Sequence, residues 1–339
     1  MIFNNSKRRN IQIALGLLWL LDGVLQLQRQ MFTSNFASKV IANSALGQPR
    51  VVNGPINLSI HMFMLHPAIF NSVIVIIQLS LGFLILSKKS VKFGLITSAG
   101  WALFVWYIGE GLGGLLSSHT LILTGAPGAA LIYALIALAV LPKDSRSEEK
   151  SKDHLPAYWL AGVWAILWVV GGIYQLLPGQ NTITDLSYMV SSNAQGAPGW
   201  LASVDLHVSN FIYNLGDKST QISNMHMSAI QMTAMQNSSN RGYWFIAVLA
   251  LVQILVGLLA IRSGFSRKAA IFLGIAISLL LWVIGQNLGG YYTGLATDPN
   301  SGPLYILLGL AILVGEQFSF RKLKRDSAKL IKSIENLLT

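Results

Sequence analysis

Apolar residues gather into long runs along this chain, and polar residues are largely confined to the gaps. The runs cover about 11–28, 67–87, 92–112, 125–142, 157–177, 243–262, 268–290 and 302–319. Each approaches the roughly 20 residues a helix needs to cross the hydrocarbon core of a bilayer. Inside a bilayer a backbone amide must be satisfied within the protein, so such runs form helices rather than open strands. The pattern predicts an all-α, polytopic integral membrane protein with eight transmembrane helices. The fourth run has the least definite edges, because LLSSHTLILTGAP at 115–127 mixes polar and apolar positions.

The pattern occurs twice. The frame W-x-I-G-[EQ]-x-L-G-G spans Trp106–Gly114 and again Trp282–Gly290, 176 residues apart. LLWLLDGVLQL (Leu17–Leu27) matches AILWVVGGIYQLL (Ala165–Leu177), pairing Trp19 with Trp168 and Gln26 with Gln175. Val73–Gly94 matches Val248–Ala270, pairing Gln78 with Gln253, and Thr124–Leu141 loosely matches Thr297–Val314. This divides the chain into two four-helix membrane repeats, 1–142 and 155–319. A charged linker, 143–154, joins them, and a basic amphipathic tail, 320–339, follows. An even number of spans per repeat makes the repeats parallel, related about the membrane normal. The spacing Gly109-x-x-x-Gly113, and Gly285-x-x-x-Gly289 in the second copy, predicts close helix–helix approach. Long segments at 28–66 and 178–242, rich in Asn, Ser, Gln and Gly, predict caps carrying short interfacial helices.

Composition sharpens this picture. Hydrophobic residues make up 53% and charged residues 11%, with mean hydropathy +0.55, against about 25% charged residues in soluble domains. The net charge of +11 invites a nucleic-acid partner, but its distribution speaks for lipid. With eight spans, 19 of the 24 Lys and Arg fall on one side, the positive-inside pattern. Both termini are therefore expected in the cytoplasm, the long loops outside, and the basic clusters against anionic membrane lipid. The N-terminal run resembles a signal peptide, but no small-x-small cleavage site follows, so it reads as a retained span. The expected location is the plasma membrane of a prokaryote. With no cysteine, disulfides, iron–sulfur clusters and thiolate metal sites are excluded.

Candidate chemistry lies where polar groups enter the apolar runs. Asp22 and Glu110 are the only acids well inside predicted spans. Asp22 and Gln26 share a helix face with Trp19 one turn earlier, and Trp106 and Glu110 are likewise four apart. The second copy has Gly171, Gln175 and Gln286 there, keeping the amides and losing both carboxylates. An acid at mid-bilayer costs about 2.5–3.5 kcal/mol on insertion scales. Asp22 and Glu110 are therefore candidate catalytic groups, and Gln26, Trp19, Trp106, Gln286 and Asp298 candidate ligand contacts. The alternative is that Glu110 merely bonds a neighbouring helix, as Gln286 does. The turn around Asp298 (TDPNSGP) likewise carries strong turn chemistry of its own. On the predicted outer face, HMFMLH (His61–His66) and NMHMSAIQMTAM (Asn224–Met235) combine His with Met. Imidazole plus thioether suits Cu(I), with His61, His66, Met225 and His226 as ligands; the alternative is an interfacial amphipathic helix.

Four stretches carry a family resemblance. GLLWLLDGVLQL and QLSLGFLILSKKS in the first repeat, with LWVVGGIYQLL and QILVGLLAIRSGFSRKAA in the second, resemble the DoxX/DoxD-like membrane proteins. That family pairs an aromatic- and glycine-bearing first helix with a second helix that ends in a short basic turn. The resemblance implies a four-helix membrane unit, in some members a subunit of a thiosulfate:quinone oxidoreductase. Here two units are fused and the outer loops are long. Three functions follow as expectations: a subunit of a quinone-linked redox complex with other membrane subunits as partners, a transporter, or a copper-handling protein. No soluble-enzyme motif is present.

Overall fold

A computed structural model describes residues 5–117, 125–142, 155–177, 182–215 and 240–314. Among these the protein is helical, without strands. The first half holds α1 (Asn5–Leu25), α2 (Arg50–Leu65), α3 (Pro67–Leu86), α4 (Val91–Ile108) and α5 (Ala129–Ala139). The second holds α6 (Leu155–Gln175), α7 (Ile183–Asn193), α8 (Gly199–Leu215), α9 (Asn240–Ile261), α10 (Phe265–Ile284) and α11 (Ser301–Val314). Four of them, α3, α4, most of α9 and α10, are long and apolar enough to cross a membrane. The apolar helices of α5, α6 and α11 are shorter.

Each half is built on one close helix pair. An added Cβ at Gly23 would lie 2.6 Å from the Leu79 side chain, and one at Gly82 would lie 2.6 Å from Leu20. The α6–α9 pair repeats this: Gly172 meets Ala250 and Ile254, and Gly257 meets Ala165 and Val169. Small residues on both faces let α1 lie against α3, and α6 against α9, at backbone distance.

A single hydrophobic cluster runs through both halves, from Leu15 and Ile85 through Ile132 and Ile136 to Trp164, Val256 and Leu308. At the end of the bundle holding the charged turns, Arg9 donates to the Ile85 and Leu86 carbonyls at the end of α3. Arg267 does the same for the Ala260 and Ile261 carbonyls that close α9. A cation satisfies the orphan carbonyls of a helix end and opposes its dipole. At the opposite end, Phe36, Ile56 and Phe63 belong to a cap over the first half. Ile183, Leu186 and Ile212 belong to one over the second.

The repeated W-x-I-G frame corrects one expectation. Its glycines are not a helix–helix contact stripe. α4 ends at Ile108 and α10 at Ile284, and the chain then turns through left-handed conformations: Gly111 at φ 56°, Gly113 at 62°, Leu288 at 53° and Gly289 at 71°. Glycine adopts these angles at little cost, and in the first copy Gly111 begins the turn; in the second the turn begins at Asn287 and Leu288 before reaching Gly289. The close approach is made by the loop instead: a Cβ on Gly113 would collide with the Pro127 carbonyl.

Candidate functional site

The two loops that follow the frame place equivalent groups. Trp106 Nε1 donates to the Pro127 carbonyl at 2.7 Å, and Trp282 Nε1 donates to the Pro299 carbonyl at 2.8 Å. The Ala130 amide donates to Glu110 Oε1 at 3.0 Å, and the Gly302 amide donates to Gln286 Oε1 at 2.9 Å. Tyr133 packs on Trp19 with ring centroids 4.6 Å apart, and Tyr305 on Trp168 at 5.8 Å. These pairs put the last helices in register at an offset of 172 residues, one less than the alignment of Thr124 with Thr297 implies. Asp298 then stands opposite Ala126. The variable position of the frame thus has a structural task in both copies. It accepts from a free amide in the first turn of α5 or α11, where an acceptor is favoured.

The copies differ in what surrounds that acceptor. In the first half a cavity of about 480 Å³ opens beside it, within the usual range for small-molecule sites. Asp22 and Trp19 from α1, Gln26 just beyond its end, Gln78 from α3, Trp101 from α4, Tyr133 from α5, and Glu110 line one part of it. Thr297 and Asp298 reach in from the second half. Most of the remaining wall is apolar, and no Lys, Arg or His lines it among the described residues.

Burial decides the chemistry here. Asp22 is 1% exposed and Gln26 2%. Asp22 Oδ1, Gln26 Oε1 and Gln78 Oε1 have no hydrogen-bond partner among the described residues. The Tyr133 hydroxyl stands beside Asp22 but makes no hydrogen bond of good geometry. The three carboxyls, Asp22, Glu110 and Asp298, are close enough for their charges to act on one another. Burial pushes the Asp298 carboxyl above the usual carboxylate range. Hydrogen bonds from Thr297 Oγ1 (2.6 Å) and the Asn300 amide (2.7 Å) oppose that shift. An uncompensated charge in such surroundings is costly, so this group of carboxyls is suited to hold and exchange protons.

The sequence candidates are thus sorted. Trp19, Asp22, Gln26, Glu110 and Asp298 meet at one cavity. Trp106 does not line it; its indole braces the loop that carries the start of α5. Gln286 lies in the second half, where its Nε2 donates to Ser301 Oγ at 3.0 Å. His61 and His66 are exposed. Among the described residues no group of three His, Asp or Glu could hold a metal. Met225 and His226 lie outside the described residues.

Sequence reasoning missed Tyr133 and Trp101. Tyr133 was legible in principle, since an offset of 172 pairs it with Tyr305. Asp205 on α8 is a further unpredicted acid. It is fully buried, both its oxygens lack partners among the described residues, and burial raises its pKa to about 6. Comparison of the chain with family models, curated proteins and solved structures finds no match.

Proposed function

We propose that the chain is an integral membrane subunit of a quinone-linked redox complex, and that the first-half cavity binds the head of a quinol. In this reading the protein has eight spans in two parallel four-helix repeats of the DoxX/DoxD-like type, with both termini in the cytoplasm. The observation that carries the reading is the grouping of Asp22, Glu110 and Asp298, from three separate segments, in a cavity wall that is otherwise mainly apolar. Trp19, Trp101 and Tyr133 provide flat surfaces for an aromatic head, and the carboxyls accept its hydroxyl protons. A quinol oxidised there loses two protons and two electrons to become the quinone. The protons pass to carboxylates of the site and the electrons to a redox-active partner subunit.

Isolating the protein with its partners from native membranes, and following oxidation of a short-tailed quinol, tests this. Glu110→Gln is expected to lower the rate about 100-fold, the usual scale for losing a general base. Gln286→Glu is expected to leave the rate unchanged. Full activity in Glu110→Gln, or a preparation without redox partners, ends the proposal.

A second reading, a carrier, is favoured by one observation. Thr297 and Asp298 of the second half help wall a cavity that otherwise belongs to the first, so motion between the halves would open it. Uptake of a protonatable solute into vesicles, abolished by tethering the halves, would support it over the redox reading.

A further inference from the structure

The cavity wall is graded from one part to another. The carboxyls, Trp19, Gln26 and Tyr133 occupy its polar part, and most of them are nearly inaccessible from outside. Elsewhere the lining is mainly apolar, and several of its large side chains also reach the protein surface. Leu58 and Met62 on α2 are 62% and 40% exposed, Val73 on α3 49%, and Phe104 on α4 54%. Apolar exposure continues on both sides of these residues, through Leu65, Ile69, Ile76 and Leu103. In water such a rim would expose a contiguous apolar patch of a kind soluble proteins avoid. Against hydrocarbon it costs nothing, and α3 and α4 are both apolar enough to lie there.

We infer that the gap between α2, α3 and α4 is a lateral portal, and that the site takes a head-and-tail amphiphile directly from the bilayer. This deepens the quinol reading and rests on it for the identity of the head. The hydrogen-bond-donating head sits among Asp22, Glu110 and Asp298. The hydrocarbon tail leaves between Leu58 and Met62 on one lip and Val73 and Phe104 on the other. A cavity of about 480 Å³ holds a head and the start of a chain, so a longer tail must pass through the gap.

Two probes with one head, hydroquinone and its decyl derivative, are titrated into full-length protein in lipid nanodiscs. Met62→Trp and, separately, Val73→Trp narrow the gap. Each is expected to weaken decyl-hydroquinone by about tenfold or more, the scale of displacing a few buried methylenes. Tail-less hydroquinone should stay within about twofold, because its contacts lie in the polar part of the cavity. Equal losses for both probes, or no loss for either, overturn the portal.

A second measurement does not depend on bulky variants folding. The chain has no cysteine, so Leu58→Cys introduces a single thiol on the lip. It should react with a lipid-dissolved maleimide and be protected by the decyl probe; a thiol indifferent to the probe counts against the portal. Redox-inert decylphenol separates the two proposals. If it shows the same portal dependence while no quinol oxidation is found, the redox reading fails and the portal stands. If quinol is oxidised but the lip variants discriminate no tail, the portal fails alone.

Discussion

Trp19 and Tyr133 in the first half border a cavity of about 480 Å³, whereas their counterparts Trp168 and Tyr305 border one of about 10 Å³. Two substitutions account for the difference. Trp164 stands where the first half has Leu15, and its ring packs on Trp168 at 5.5 Å and Tyr305 at 6.2 Å. Gly171 replaces Asp22. With that carboxyl absent, Gln253 Nε2 reaches Gln175 Oε1 at 2.7 Å, while Gln26 Oε1, the counterpart of Gln175 Oε1, stays unpartnered among the described residues. The closed copy shows what the scaffold requires, namely an acceptor for the last helix, a braced loop and two rings in contact. The open copy shows what it carries beyond that: two more carboxyls, an unpaired Gln26 oxygen and space. Polar groups retained in a lipid-facing fold without partners are a cost to folding, and function is the usual reason they persist.

The largest expected effect comes from emptying the closed half. Trp164→Ala should destabilise the protein by about 3–5 kcal/mol, as for other buried aromatic truncations, seen as a drop in unfolding temperature in detergent. A loss below about 1 kcal/mol would mean that Trp164 does not hold the second copy shut.

Next is Gly171→Asp, which places in the second copy the carboxyl of the first. The expected cost is about 2.5–3.5 kcal/mol. Asp22→Asn, by contrast, removes a buried acid and should leave the unfolding temperature level or raise it. A marked fall there would show that the Asp22 carboxylate has a structural partner.

Smaller still is the stability cost of Glu110→Gln. Gln286 performs the same capping with an amide, so this change should cost about 1 kcal/mol or less. Glu110→Ala should cost more, because it leaves the Ala130 amide unsatisfied. Equal costs would argue that the carboxylate is not a cap.

The finest effect concerns pH and Asp205. Its folded pKa of about 6 exceeds the reference 3.8, so the unfolded chain loses this proton first. The contribution is most favourable below pH 3.8 and is lost as pH rises towards 6. Thermal unfolding followed across that window should show wild-type protein losing stability relative to Asp205→Asn. Parallel curves would mean that the carboxyl is solvated.

Much of the site was readable along the chain, because each member leaves a local signal. Asp22 and Glu110 are charges in apolar runs, Gln26 lies one helical turn from Asp22, and Asp298 sits in a turn-rich segment. Trp106 was readable as a repeated residue but not as a brace, since its partner Pro127 lies across a loop whose path depends on the left-handed turns after Ile108. Tyr133 was hidden by a one-residue ambiguity in a weak alignment, which the matched contacts of Pro127, Ala130 and Tyr133 with those of Pro299, Gly302 and Tyr305 remove.

Apolar periodicity and composition determined by themselves that the chain is helical and rich in membrane-length segments, because solvation of backbone and side chains is a property of local sequence. The doubled frame likewise announced an equivalent structural task in both copies. Which copy keeps a cavity was decided only in three dimensions. Whether a space stays open depends on the summed volumes of side chains brought together from distant segments: Trp164 against Tyr305 in one half, and Asp298 reaching across to Asp22 and Glu110 in the other.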